Sequence, residues 1–491
     1  MTAPETEKPA AKCPVEMHDG SPCGRHVYHK GLCICHSDIP EKNSDRFKRE
    51  IEAMLARKDY DFTRFVFPNA AEFTSRVFDG SVRFRGATFQ GEAQFAGARF
   101  QREAEFRWAT FCASACFALA TFESGADFPD ATFMGDADFG RATFAGPASF
   151  SSAKLQGKAY FTWGTFEGDT HFPDATFHGY AGFLGATFRG HTDLSGAAFQ
   201  DRADFQDAKF RGKARFRGTR FQGKADFFRA TFEDATEFVY ATFLDAALFV
   251  GERDNRLFCR QADADFYEAR FEHPERAVFR HVYLGKARFL GADVRRVDFT
   301  KVQWGTRLDG RPAVWDELGP EEDGKEKDYA LIGKLYRQLK YNYEEEQRDP
   351  ITAGDFHFGE MEMRRLEPCK GWLRATYRRY LSAIAFYRWI SGYGEDYVRA
   401  FAWIVVMILL FGVVFTHPWF ALRTSPLSGS LQPVNGFWPH LLYSVMCFLL
   451  RGDKPFEPVH LAGHYASVAE GIIGPPLIAM FVLALNRRFK R

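Results

Sequence analysis

From residue 73 to residue 249, a phenylalanine or leucine returns at alternating steps of five and six. Positions 73, 84, 95 and every eleventh to 249 are Phe at 16 of 17, with Leu194 the exception. Positions 78, 89, 100 and onward to 243 are Phe at 15 of 16, with Leu155 the exception. The residue two before each is usually small, and it is Ala at 26 of these 33 places. Apolar residues recur every 3.6 positions on a helix and every second position on a half-buried strand, so neither element accounts for the pattern. A unit this short cannot bury its own apolar face and must stack on its neighbours, which makes the segment a solenoid.

The repeats, which read ATFQG, EAQFAG, ATFMG, DADFGR, ATFHG and YAGFLG, resemble the pentapeptide-repeat family. The resemblance covers roughly residues 60–305 and implies a right-handed quadrilateral β-helix. In that fold five residues form one side of a square coil, and the Phe and the small residue two before it point inward. Here the unit is eleven, a five plus a six. The extra residue enters at 80, 91, 102 and every eleventh position to 245, and it is Gly at 10 of 16 and Asp at three more. Gly and Asp tolerate left-handed backbone, which predicts bulged corners at those positions. Coils of about 22 residues follow, and stacking at about 4.8 Å makes residues 73–249 on the order of 38 Å long. After Gly251–Arg260 the count resumes at Phe266 and Phe271. It then settles to fives at Phe279, Leu284, Phe289, Val294, Phe299 and Trp304. Each repeat Phe reads as core packing, not as a ligand contact. Open stack ends are adhesive, so residues 1–70 and the segment after Trp304 are expected to cap them.

The chain carries 64 Lys and Arg against 63 Asp and Glu, and within 71–305 the counts are 30 and 31. Some pentapeptide-repeat proteins are acidic rods that mimic DNA, and a balanced surface lacks the field this needs. It equally lacks the basic stripe of a nucleic-acid binder, so no nucleic-acid partner is expected. The opening MTAPETEKPAAKC is polar with no apolar core, so no secretory leader is expected and the solenoid is placed in the cytosol. Nine scattered cysteines do not form a disulfide framework. No phosphate loop, nucleophile elbow or paired carboxylates stand out, and an enzyme is not expected.

Cys13, Cys23, Cys33 and His36 form C-x9-C-x9-C-x2-H with Gly and Asp turns between them. Zinc takes four such ligands in a tetrahedron, and a segment with so few apolar residues needs a staple to fold. The set predicts a structural zinc knuckle, with Cys35, His18, His26 and His29 as alternative ligands. Residues 44–58 follow as a capped amphipathic helix, with Phe47, Ile51, Met54 and Leu55 on one face.

Past Trp304 the composition changes. A polar stretch, GRPAVWDELGPEEDGKEKD, leads into two helical patterns separated at Asp349-Pro350, which predicts a helical hairpin. Residues 371–390 mix Trp, Tyr and Phe with Arg, the pattern of an interfacial helix. Val398–Thr416 and Ala466–Leu485 are each apolar enough to span a bilayer. Phe437–Leu450 lies between them, too short to cross, and reads as a re-entrant helix. Arg374, Arg378, Arg379 and Arg388 precede the first span, and Arg487, Arg488, Lys490 and Arg491 follow the second. The positive-inside rule then predicts a two-pass inner-membrane protein with both ends cytoplasmic. The expected segments are 1–40 (knuckle), 41–60 (capping helix), 61–305 (β-helix), 306–370 (helical linker), 371–396 (interfacial helix) and 397–491 (membrane domain).

The stretch GHYASVAEGIIGPPLIAMFVLALNRRFKR resembles the inner helix of bacterial potassium-channel-like proteins, and LLYSVMCFLL resembles their pore helix. The likeness implies a two-transmembrane pore domain. It fails at the filter, where carbonyls of T-V-G-Y-G replace ion hydration. Here Arg451, Gly452, Asp453 and Lys454 stand instead, so potassium selectivity is not implied. Glu470 is an ionisable residue inside a span and is expected to face a wet lumen or a neighbouring subunit. Gly471, Gly474 and Pro475, with Pro476, permit either a bend or close helix packing.

Together these readings predict a mixed fold, a cytosolic β-helix followed by α-helices and a two-helix membrane domain. The expected function is an oligomeric, tetrameric channel-like protein in which the β-helix is sensor, gate or scaffold. Its expected partners are the lipid bilayer, further copies of itself, ions, and a cytosolic protein on the β-helix. The alternative is a membrane-anchored scaffold whose pore-like segment does not conduct.

Overall fold

A computed structural model resolves the periodic segment into four parallel sheets of 10, 10, 8 and 10 two- to four-residue strands. It describes residues 11–39, 42–252, 257–259, 262–320, 326–369, 371–424, 432–449, 452 and 454–489. Contacts divide the chain into two units, Met1–Glu321 and Glu322–Arg491.

In the first unit the coil is 22 residues, since Val66 pairs with Thr88, Ala115 with Ala137 and Phe122 with Phe144. Each coil lays one strand in each sheet, so every inward position stacks on its own kind. The Phe rings form columns: Phe128 lies 4.7 Å from Phe106 and 4.8 Å from Phe150, with planes within 3°. Neighbouring columns meet edge to face, as at Phe128–Phe139, 5.4 Å and 86°. The β-ladder spacing imposes the stacking, and the edge contacts set the positive ring rim on the negative ring face of the next column. Where alanine stands two residues before a ring it leaves room for it, and both are buried along the solenoid.

The corners differ from the expectation. The glycines at 80, 91 and so on do not adopt left-handed backbone. The left-handed residues stand instead two after each Phe of the first series, at Ser75, Gly86, Gly97, Trp108 and onward to Tyr240, with φ between 55° and 69°. There the chain makes a β-turn closed by bonds such as Ala98 N–H to the Phe95 carbonyl at 3.0 Å, and its third residue requires positive φ. The six-residue sides use glycine for a different reason. A Cβ on Gly157 would lie 2.5 Å from the Gly135 carbonyl carbon, and one on Gly146 would lie 2.5 Å from that of Ser124. Close approach of successive backbones, not φ, selects glycine there.

The segment after Val250 lengthens a coil: Thr236 pairs with Ala264 and Ala247 with Ala277, offsets of 28 and 30. The run of fives then shortens it, with Tyr283 opposite Gln303, an offset of 20. At the first end, α1 (Ser44–Ala56) sets Phe47 edge-on to Phe67 at 5.4 Å. At the other end, Gln303–Thr306 turns back to pair antiparallel with Pro312–Ala313, followed by the single turn α2 (Trp315–Leu318). Asp316 is buried there and accepts the Phe289 and Leu290 N–H groups, both at 3.0 Å. It satisfies the Phe289 N–H, which a further coil would otherwise take as the Arg288 carbonyl takes that of Phe266. Residues 306–320, expected in the linker, thus close the solenoid.

The second unit is helical. α3 (Tyr329–Tyr341) and α4 (Pro350–Leu366) form the hairpin, with Asp349 capping α4 through the Ile351 and Thr352 N–H groups. The predicted interfacial helix is interrupted. α5 (Trp372–Thr376) and a π-turn end at Ser382, which is extended (ψ 162°) and caps α6 (Ala383–Ser391) by accepting from Ala385 N–H. A serine offered as N-cap competes with helix continuation. Trp372, Leu373, Tyr377, Tyr380, Phe386 and Trp389 remain exposed along this stretch. α7 (Tyr397–Phe415) and α9 (Leu461–Phe489) are long and apolar enough to cross a membrane, and α8 (Phe437–Phe448) packs against both. α9 runs unbroken through Pro475 and Pro476.

Candidate functional site

Two clusters bring predicted residues together. In the first, the ligand atoms of Cys13, Cys23, Cys33 and His36 lie within 4.8 Å of one another. Short paired segments, with Cys13 N–H bound to the Arg25 carbonyl and Cys23 N–H to the Val15 carbonyl, fold the Gly-rich loops so that distant cysteines converge. The Sγ atoms of Cys23 and Cys33 are 3.8 Å apart, and His36 Nδ1 is 3.5 Å from Cys13 Sγ and 3.2 Å from Cys33 Sγ. A tetrahedral ion with bonds of about 2.3 Å to sulfur and about 2.1 Å to nitrogen separates its ligands by roughly 3.5–3.8 Å. The cluster therefore has the donors and the spacing to hold a metal ion.

The surroundings match that role. His36 Nε2 donates to the Thr63 carbonyl at 3.0 Å, and because a carbonyl only accepts, Nδ1 is left with the free lone pair. Arg25 Nη1 donates to Cys23 Sγ at 3.3 Å, which offsets thiolate charge. His36 also sits edge-on to Phe65 at 5.1 Å, and the Cys35 carbonyl accepts from Val66 N–H, so the cluster is fastened to the first coil. Of the alternative ligands, His18 faces Asp61 at 3.6 Å, and Cys35 is buried beside Cys33 but is not among the four whose ligand atoms converge. Neither Thr63 nor Arg25 was legible as a supporting group, because the fold alone brings them near.

The second cluster lies among α7, α8 and α9. Glu470 is wholly buried, and one carboxylate oxygen meets the Ser444 hydroxyl of α8. Ser444 also lies 2.9 Å from the Ile408 carbonyl of α7. The other Glu470 oxygen has no hydrogen-bond partner among the described residues. Phe415, Leu422, Tyr443 and Cys447 pack beside this group. A Cβ on Gly474 would lie 2.5 Å from the Phe448 carbonyl, so α9 passes close to the end of α8 at that residue. Gly471 lies one turn earlier on the same helix, and Pro475 follows directly.

Of the filter-position residues, Arg451 and Asp453 lie outside the described residues, and Gly452 is exposed. Lys454 lies 5.4 Å from the centre of the Tyr443 ring and 3.2 Å from Cys447 Sγ. Leu422–Thr424 and Phe456–Pro458, which flank α8 in sequence, pair as an antiparallel ladder. Ser444 was not singled out by sequence reasoning; its one signal is a hydroxyl in the apolar run LLYSVMCFLL.

A family model described as pentapeptide repeats (9 copies) matches residues 62–110, 139–187 and 183–231, all within the solenoid. No curated protein and no solved structure matches the chain.

Proposed function

We propose that this chain is an oligomeric, tetrameric membrane protein of channel-like design, carrying its pentapeptide-repeat solenoid in the cytosol as sensor, gate or scaffold. The observation behind this reading is the order span, short helix, span, with α8 seated between α7 and α9 around the buried Ser444–Glu470 pair. Only 17% and 22% of the two apolar windows is buried within one copy. Two spans cannot enclose a water path, so their open faces call for further copies or lipid. The arginines before α7 and after α9 favour cytoplasmic ends at the inner membrane. At the amino-terminal end, zinc is the ion suited to three thiolates and an imidazole, and its role there is to fasten the first coil.

A second reading is favoured by Lys454. Its ammonium rests on Tyr443 and Cys447 of the same copy, at the position where a potassium filter would present carbonyls. On that reading the membrane helices are a non-conducting anchor for the scaffold. Recording from the purified protein in planar bilayers, with its mass measured in detergent, separates the two. Discrete conductance steps from a tetramer, altered by Glu470→Gln, support the channel. A silent monomer or dimer leaves the anchor.

A further inference from the structure

A polar cleft of about 480 Å³ opens where the α3–α4 hairpin meets the end of α9, lined by Lys340, Glu344, Arg348, His357, Glu395 and Arg487 with the first turn of α4. Its charges are not mutually cancelled. Arg487 is fixed, donating to Glu395 at 2.9 Å and to the Tyr393 carbonyl at 3.1 Å. Lys340 and Arg348 have no carboxylate partner among the described residues, and Glu344 stands exposed at the rim. His357 Nδ1 is buried without a hydrogen bond, because Glu360 at 3.8 Å is too far to accept one and is already held by Arg337 and Arg364 at 2.8 Å. Arg348 is kept at φ 52°, in left-handed backbone that an arginine adopts only at a cost of roughly 1 kcal/mol. Lys340, Arg348 and Arg487 outnumber Glu344 and Glu395 in a cleft whose wall is mostly polar, and that excess of positive charge suits a compact anion.

We propose that this cleft binds a phosphate group. Arg487 lies in the last turn of α9, next to Arg488, so if α7 and α9 span a bilayer as read above, the cleft lies at headgroup depth. Basic pockets at that depth bind the phosphates of anionic lipids, and a free phosphate ester would meet the same groups. Occupancy would tie the hairpin to the inner end of α9.

The test uses the full-length protein in mixed detergent micelles, with lipid retention followed by native mass spectrometry. Phosphatidylglycerol is expected to be retained at least tenfold better than phosphatidylcholine. Arg348→Gly removes a cation while relaxing the backbone, so it keeps the fold, and Lys340→Gln removes the other. Each is expected to weaken retention about fivefold, the equivalent of about 1 kcal/mol per cation. Lys334→Gln, on the exposed side of α3, should change nothing. Glycerol phosphate added alone separates the sources. If it displaces the lipid at millimolar concentration, phosphate suffices; if it does not, the intact lipid is required. Equal retention of both lipids without any glycerol phosphate binding overturns the proposal, as does equal weakening by Lys334→Gln. A silent bilayer recording would refute the channel and leave this result standing.

Discussion

Replacing Phe128 by alanine tests the column account of the solenoid directly. The ring is fully buried. It stacks between Phe106 and Phe150, meets Phe117, Phe122 and Phe139 edge to face, and tilts against Phe133. Burying and then deleting a phenylalanine costs about 3–5 kcal/mol. The upper part of that range applies here, because strands held at ladder spacing on every side cannot collapse into the void. Phe128→Leu should cost only about 1–1.5 kcal/mol, since Leu155 and Leu194 occupy the same kind of position in the native stack. Coupling gives a second, independent magnitude. Phe128→Ala and Phe150→Ala share a void, and their effects should fall short of additivity by roughly 1 kcal/mol. Phe128→Ala and Phe216→Ala lie in one column but four coils apart, about 19 Å at the ladder spacing, and their effects should add. Urea unfolding of the full chain in detergent, with amide exchange across residues 106–150, reads each quantity. The column account is refuted if leucine costs as much as alanine at 128, or if the distant pair couples as strongly as the adjacent one.

Gly157→Ala should destabilise the solenoid by about 1–3 kcal/mol, because its Cβ would press on the Gly135 backbone. Gly218→Ala should cost only about 1 kcal/mol, the strain of φ 65° by itself, since nothing stands within 4 Å; thermal unfolding giving the reverse order would return the corner argument to φ. Cys33→Ser should abolish retention of one metal ion per chain by elemental analysis and raise amide exchange in α1 while leaving residues 106–232 protected; an ion retained by the variant would dismiss Cys33 as a ligand. Burial pushes the Asp316 carboxyl from 3.8 up to about 6, against the opposing pull of the Phe289 and Leu290 N–H groups and Arg288. The folded state therefore favours the protonated acid. The stability this contributes is fully present below the unfolded value and is lost as pH rises through about 6, by on the order of 3 kcal/mol. Exchange protection of residues 277–306, corrected for intrinsic rates, should fall between pH 4 and pH 7, and Asp316→Asn should flatten the profile; protection that rises with pH would contradict the assignment.

What the sequence made legible is what repeats or what lies close along the chain. The 22-residue coil and the later run of fives follow from spacing, because in a ladder a fixed offset is also a fixed height, and the inward phase of the repeat Phe residues follows from the family resemblance, whereas Phe228, off the repeat, is exposed. The C-x9-C-x9-C-x2-H spacing likewise identified four residues that the structure brings within 4.8 Å of one another. Glycine was harder to interpret, because the same residue answers two demands. At 86, 97, 185, 196 and 218 it provides positive φ, and at 91, 135, 146 and 157 it admits a neighbouring backbone. Composition alone does not tell these apart. The left-handed corners were missed because Trp108, Leu119, Trp163 and Tyr240 occupy them in place of glycine.

The remaining details depend on contacts across long separations, and a single sequence carries no record of them. Thr63 lends a carbonyl to His36 from 27 residues away, and Ser444 meets Glu470 across 26. Ser382 interrupts the interfacial helix by a local bond, yet serines also occur within helices, so its presence alone did not decide the break. Asp316 shows the same limit at the end of the stack. Its pattern, a short polar segment after the last repeat, reads as linker. The Phe289 N–H, left without a further coil, and the adjacent Leu290 N–H give that carboxylate its partners. A solenoid can be read from its repeats, but its ends are defined by the hydrogen bonds the repeats leave unmade, and those ends are where this chain departs most from its own period.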